Sequence, residues 1–108
     1  MTSLAMFLWV LVAFNDQHQM FFNPDSFQMN DRATFSIGKL VEGDNVISVS
    51  AYMIEHNKCG NIFQTLYVSN VDGSNMNNAL FDTRQNTMGS VKIRTLCATA
   101  KAVLNQRE

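Results

Sequence analysis

Apolar and polar positions change period several times along this chain, and each change marks a predicted element. Leu4 to Phe14 is eleven consecutive apolar residues, too short for a bilayer span, which takes about 20. Within it the β-preferring Phe7, Trp9, Val10, Val12 and Phe14 outweigh the helix formers Leu, Met and Ala. The run therefore reads as a strand with apolar side chains on both faces. Asn15-Asp16-Gln17-His18 supplies turn chemistry, Gln19-Met20-Phe21-Phe22 reads as the returning strand of a hairpin, and Asn23-Pro24-Asp25 stops it.

From Asn30 the period lengthens. Ala33, Ile37, Leu40 and Val41 fall at i, i+4, i+7 and i+8, one stripe of a helix, with Asn30 or Asp31 as a cap and Gly43 just past its end. Gly38 inside this segment costs a helix about 1 kcal/mol against alanine and marks a close approach to the sheet. Asn45 to Glu55 alternates: Ile47, Val49, Ala51 and Met53 lie on one side, Ser48, Ser50 and Tyr52 on the other, as in a half-solvated strand. His56-Asn57-Lys58-Cys59-Gly60 turns the chain into a further strand over Ile62–Ser69.

Residues 70–89 are Asn-rich, open on the turn pair Asp72-Gly73, and hold one short apolar piece near 78–82 that reads as a short strand. Ser90 can cap a final helix, because Ile93, Leu96, Cys97, Ala100, Val103 and Leu104 recur at helical spacing. The rival is a strand through Val91, Ile93, Thr95 and Cys97, which accounts for fewer residues. The fold class these elements predict is α+β: a two-layer sandwich in which a mainly antiparallel sheet of about four to five strands is covered by two helices, in the order ββαββ(β)α. With no repeat, no low-complexity linker and a single proline, the whole chain, 1–108, reads as one such domain.

A two-layer sheet leaves one face wet, yet the first strand is apolar on both. An equivalent surface of a second copy covers the second face most simply, so a homodimer is expected, with Phe7, Trp9 and Leu11 as its self-association residues.

Composition changes this picture little. Charged residues are 16% of the chain, low against the usual quarter or so, and twelve asparagines and six glutamines supply much of the remaining polarity. Net charge is −1, so overall charge cannot draw the chain to nucleic acid or anionic lipid. The sign is divided, however: residues 1–83 carry eight acids against three bases, whereas residues 84–108 carry five bases against Glu108. Two cysteines cannot build a dense disulfide framework, and no Asn-x-Ser/Thr sequon occurs among the asparagines. Positions 1–3 lack Lys and Arg, and Ala13-Phe14-Asn15 is a poor cleavage site. A cytoplasmic protein with no membrane segment is the expectation.

Candidate chemistry is sparse. His56-x-x-Cys59 has the spacing of half a zinc site, but no second pair completes it, so no metal and no other cofactor is expected. Cys97 lies on the apolar stripe of the last helix, where cysteine packs as a small hydrophobe. No Gly-x-Ser-x-Gly occurs, and Glu55 and His56, adjacent on a strand, point to opposite faces. The glycines are dispersed rather than grouped before a helix.

The richest surface comes from pairing the strands around the turn at 56–60. If Glu55 sits opposite Ile62, then Ser50, Tyr52, Phe63, Thr65 and Tyr67 share an outer aromatic and hydroxyl face, able to take a small-molecule or protein ligand. The absence of Lys or Arg from it removes electrostatic support for nucleic acid as a partner.

The expected function is that of a small non-enzymatic binding or interaction protein acting as a homodimer. Two alternatives stand beside it. One is a small enzyme using His18 or His56 with a carboxylate, in a pocket at the dimer seam or under the 70–89 segment. The other is a regulator docking its basic C-terminal helix, through Lys92, Arg94, Lys101 and Arg107, on nucleic acid or an acidic protein.

Overall fold

A computed structural model of the chain describes residues 9–106. Seven strands form one antiparallel sheet: β1 (Val10–Phe14), β2 (Gln19–Phe22), β3 (Gln28–Met29), β4 (Ala33–Glu42), β5 (Asn45–Glu55), β6 (Phe63–Ser69) and β7 (Asn77–Asp82). They lie in the order β1-β2-β4-β5-β6-β7, with β3 pairing β4 beyond the end of β2. A single helix, α1 (Met88–Gln106), backs the sheet.

The opening hairpin forms as its sequence predicts. Asn15 closes the turn by accepting from the amides of Gln17 and His18 through its Oδ1, at 2.8 and 2.7 Å, and Leu11 pairs with Phe21. A bulge between Leu11 and Ala13 breaks the expected alternation: Phe14 joins the face of Leu11, while Ala13 turns into the core. Of the expected first strand, residues 4–8 lie outside the described residues.

The predicted helix over Asn30–Val41 is overturned. That segment is β4, ten residues long and paired with β5 along its whole length, and the sheet has seven strands and one helix rather than four to five strands and two helices. The local chemistry survives the change of element. Asn30 Oδ1 accepts from the amides of Arg32 and Ala33, at 2.8 and 2.9 Å, closing a turn by the same bonds that would cap a helix. Gly43 adopts φ +60 in the two-residue hairpin loop between Glu42 and Asn45, where a positive φ is required. Gly38 does mark a close approach, since a Cβ there would run into Met20 and the Phe22 ring.

The core lies between the sheet and α1. Met20, Phe22, Tyr52, Ile54 and Leu66 meet Ile93 and Leu96 of the helix, and Phe22 packs edge-on against Phe27. Thr87 rather than Ser90 caps α1, accepting from the Ser90 amide through its hydroxyl at 3.2 Å. Ser90 Oγ donates to the Asp82 carbonyl at 2.7 Å, which ties the helix start to the end of β7. Gly89 sits against the Phe81 ring with no room for a Cβ.

Candidate functional site

The side of the sheet away from α1 has no second layer among the described residues. Strand alternation sends Phe35 and Ile37 of β4, Ala51 and Met53 of β5, and Tyr67 of β6 to this open face. The segment after β6 then folds back over them. Asn70 donates its amide to the Ser74 carbonyl at 2.9 Å, Gly73 donates to Asn70 at 2.8 Å, and positive φ at Gly73 and Asn75 tightens the bend. This compact turn carries Val71 and Met76, and between it and the sheet lies a cavity of about 350 Å³. Its walls are more apolar than polar, with Ser26, Gln28, Ser36, Ser69 and Asp72 as polar members and Tyr52 and Tyr67 both contributing.

Asp72 belongs to the turn itself. Its Oδ1 accepts from the Ser74 hydroxyl at 2.6 Å and the Ser74 amide at 2.9 Å, bonds that hold its carboxyl below the usual range. Tyr67 donates its hydroxyl to Glu55 Oε1 at 3.1 Å, and this bond raises the phenol above its ordinary value.

The five residues predicted to share one face do not do so. Met53 pairs with Tyr67 and Ala51 with Ser69, a register three residues away from the one that sets Glu55 opposite Ile62. An odd shift exchanges the faces of one strand relative to the other. Phe63, Thr65 and Tyr67 therefore lie on the open face, whereas Tyr52 and Ser50 lie on the helix side. Tyr52 is only 5% exposed, lies 5.7 Å from Phe22 between ring centroids, and is covered by Lys92, whose Nζ stands 4.6 Å above the ring. Burial pushes the Tyr52 hydroxyl up and the Lys92 ammonium down.

Among the expected self-association residues, Phe7 lies outside the described residues. Trp9 stacks on the Lys39 ammonium at 4.6 Å, and Leu11 is exposed on the open face. Sequence reasoning missed Phe35, Ile37 and Met53 as cavity walls. Once 33–42 is a strand, their alternation is the signal that finds them.

A second feature joins the strand layer to the helix. Cys59 and Cys97, expected to stand as ordinary separate cysteines, form a disulfide with Cα atoms 5.8 Å apart, inside the range such a bond requires. Its sulfurs carry no thiolate for zinc, and among the described residues no cluster of three or more metal-ligating side chains occurs. Disulfides persist mainly in oxidising compartments, which removes one support of the cytoplasmic expectation. No helix among the described residues is long and apolar enough to cross a membrane.

Beneath the disulfide lies Gln64, 2% exposed. Its Nε2 donates to the Glu55 carbonyl at 3.2 Å and stands 4.0 Å from Cys59 Sγ. Its Oε1 stands 3.6 Å from Cys97 Sγ. The disulfide also lines an open cleft of about 580 Å³ with His56, Ala98, Lys101 and Leu104.

His18 sits in the opening hairpin turn, its amide donating to Asn15 Oδ1 at 2.7 Å. His56 Nε2 pairs with the Thr34 hydroxyl at 2.6 Å, and its cleft contains no carboxylate. The cavity under the 70–76 turn contains Asp72 and no histidine. On α1, Arg94 donates to the carbonyls of Thr83 and Gln85 and to Asn86 Oδ1, the last at 3.1 Å. Lys92 lies about 200° around the helix from Arg94, and Arg107 lies outside the described residues. Comparison of the chain with family models, curated proteins and solved structures finds no match.

Proposed function

We propose that this protein is a small binding protein whose ligand enters the apolar cavity between the open sheet face and the turn at 70–76. The observation that carries the reading is the cavity itself. Its volume, about 350 Å³, falls within the usual size of small-molecule sites, and an apolar wall with few polar groups is the usual composition of such sites. A compact apolar molecule with one hydrogen-bonding end fits these walls, its polar end meeting Gln28.

Titration with the apolar fluorophore 8-anilinonaphthalene-1-sulfonate tests this. Saturable binding with a 1:1 end point, weakened at least tenfold by Met53→Asp, is the expected result. Binding unaffected by Met53→Asp, or no saturable binding to the folded protein, removes the reading.

A second reading, self-association of the open face, is favoured by its remaining apolar side chains. Phe14, Phe63 and Leu80 are 72%, 55% and 65% exposed, and a large apolar patch marks an interaction surface. The charges on this face suit a second copy. Lys39 is paired with Val49, and Glu55 lies six residues further along β5, about 20 Å away. Two copies stacked face to face with β5 strands antiparallel would set Lys39 of each over Glu55 of the other. Light scattering on the wild type and on Phe14→Glu/Leu80→Glu tests it: a concentration-independent monomer in the wild type eliminates the dimer.

A further inference from the structure

Gln64 presents a chemical mismatch. A disulfide sulfur has no proton to donate, yet the Gln64 carbonyl oxygen is aimed at Cys97 Sγ at 3.6 Å. Among the described residues no other donor reaches that oxygen. Buried acceptors are nearly always paired, and an orphan calls for an explanation. The other arm of the same amide is fully used: Nε2 bonds the Glu55 carbonyl and faces Cys59 Sγ. The mismatch vanishes if the cysteines are thiols, because Cys97 S–H then points a donor at Oε1.

We infer that Cys59–Cys97 is an exchangeable disulfide, open to a small dithiol entering the cleft beside it, and that Gln64 accepts the Cys97 thiol proton in the reduced form. The cleft lies open, with Cys59 and Cys97 in its wall and Lys101 and His56 beside them.

The exchange balances as follows. A thiolate of the dithiol attacks one protein sulfur, the protein S–S bond breaks, and the other cysteine leaves as a thiolate that takes up a proton. The second thiolate of the reagent then attacks its own sulfur in the mixed disulfide. It closes the reagent to a cyclic disulfide and releases the second cysteine, which is protonated in turn. Two electrons and two protons pass from the dithiol to the protein, so the dithiol is oxidised and the cysteines are reduced.

Cys59 and Cys97 differ in their freedom. Cys97 is fixed in the body of α1, whereas Cys59 ends a short 3-10 turn and precedes Gly60, at φ +97. In the reduced form Cys97 is held by its bond to Gln64, and Cys59 is the sulfur that moves and reacts first with an incoming electrophile.

The test equilibrates the whole chain in buffers of reduced and oxidised dithiothreitol, traps thiols with N-ethylmaleimide, and reads occupancy by mass spectrometry with circular dichroism alongside. The expected result is a reversible two-electron transition with the fold retained. Under limiting reagent Cys59 is modified before Cys97. Gln64→Leu is expected to raise the reduced-to-oxidised ratio at half-conversion about fivefold, the ratio typical of one hydrogen bond. The lost Nε2 bond to Glu55 is common to both redox states and cancels in that ratio.

Should Gln64→Leu fail to fold, the S–H stretch of Cys97 in Cys59→Ser, read by Raman spectroscopy, replaces it. A frequency lowered from that of a free thiol supports the assignment. A midpoint unmoved by Gln64→Leu, an unshifted S–H band, or reduction only on unfolding overturns it and leaves the disulfide a purely structural staple, with water serving Oε1.

Discussion

The two faces of the sheet are built from alternate residues of the same strands, yet they differ in almost every physical respect. Met53 and Ile54 are neighbours on β5: Ile54 is wholly buried under α1, while Met53 is a half-exposed wall of the cavity. The helix side is closed by interlocking apolar side chains and, apart from Gln64 Oε1, by polar groups paired with one another. The open side is apolar as well but, among the described residues, is covered only in part, by the turn at 70–76. Such a face costs a folded protein solubility without adding much stability, which is the pattern expected where a surface is kept for a ligand or a partner.

Breaking the link between the layers should have the largest effect. The disulfide closes a loop of 38 residues, and removing it by Cys59→Ser/Cys97→Ser is expected to cost about 4 kcal/mol by loop-closure entropy, read as a lower urea midpoint. Truncating one side chain on each face compares them directly. Ile54→Ala should lose about 3 kcal/mol through transfer and cavity terms, whereas Met53→Ala should lose about 1 kcal/mol or less. Equal losses would show that the open face is covered in solution.

Overpacking probes the seam between β7 and α1. Gly89→Ala forces the Phe81 ring aside and should cost about 1–3 kcal/mol, visible as a fall in thermal midpoint.

The smallest effect concerns the carboxylate at the end of β7. Arg84 donates to Asp82 through Nε and Nη2, at 3.0 and 2.8 Å, and chiefly these bonds lower its pKa from 3.8 to about 2. A depressed folded pKa means that the unfolded chain binds more protons between these values. The contribution is therefore present above about pH 4 and lost as pH falls through about 2. Asp82→Asn should flatten this part of the stability profile measured by urea unfolding, and an unchanged slope would assign the acid sensitivity elsewhere.

Much of the fold was legible because local chemistry and side-chain period agreed. The opening hairpin, the alternation of Asn45–Glu55, the strand expected over 62–69, the short strand near 78–82 and the final helix all appear close to where the pattern places them. The cavity beneath the 70s segment also follows a legible hint, since the long Asn-rich connection is a folded turn over the sheet. β4 was misread because its buried side is polar. Thr34 and Ser36 point into the core, their hydroxyls satisfied by His56 Nε2 at 2.6 Å and Ser26 Oγ at 3.1 Å. With Gly38 in the same row, the apolar residues left over mimic a helical stripe.

The amino-acid sequence by itself determined where the chain turns and which stretches can bury apolar surface, because both depend on neighbours within a few positions. Turn-closing asparagines, glycines at positive φ and the stripe of α1 are properties of that range. Only tertiary structure decided the partner of each strand, the register that separates Tyr52 from Tyr67, and the meeting of Cys59 with Cys97 over Gln64. Those depend on contacts between residues far apart in the chain, where a shift of three positions changes the face a side chain occupies while leaving every local preference satisfied.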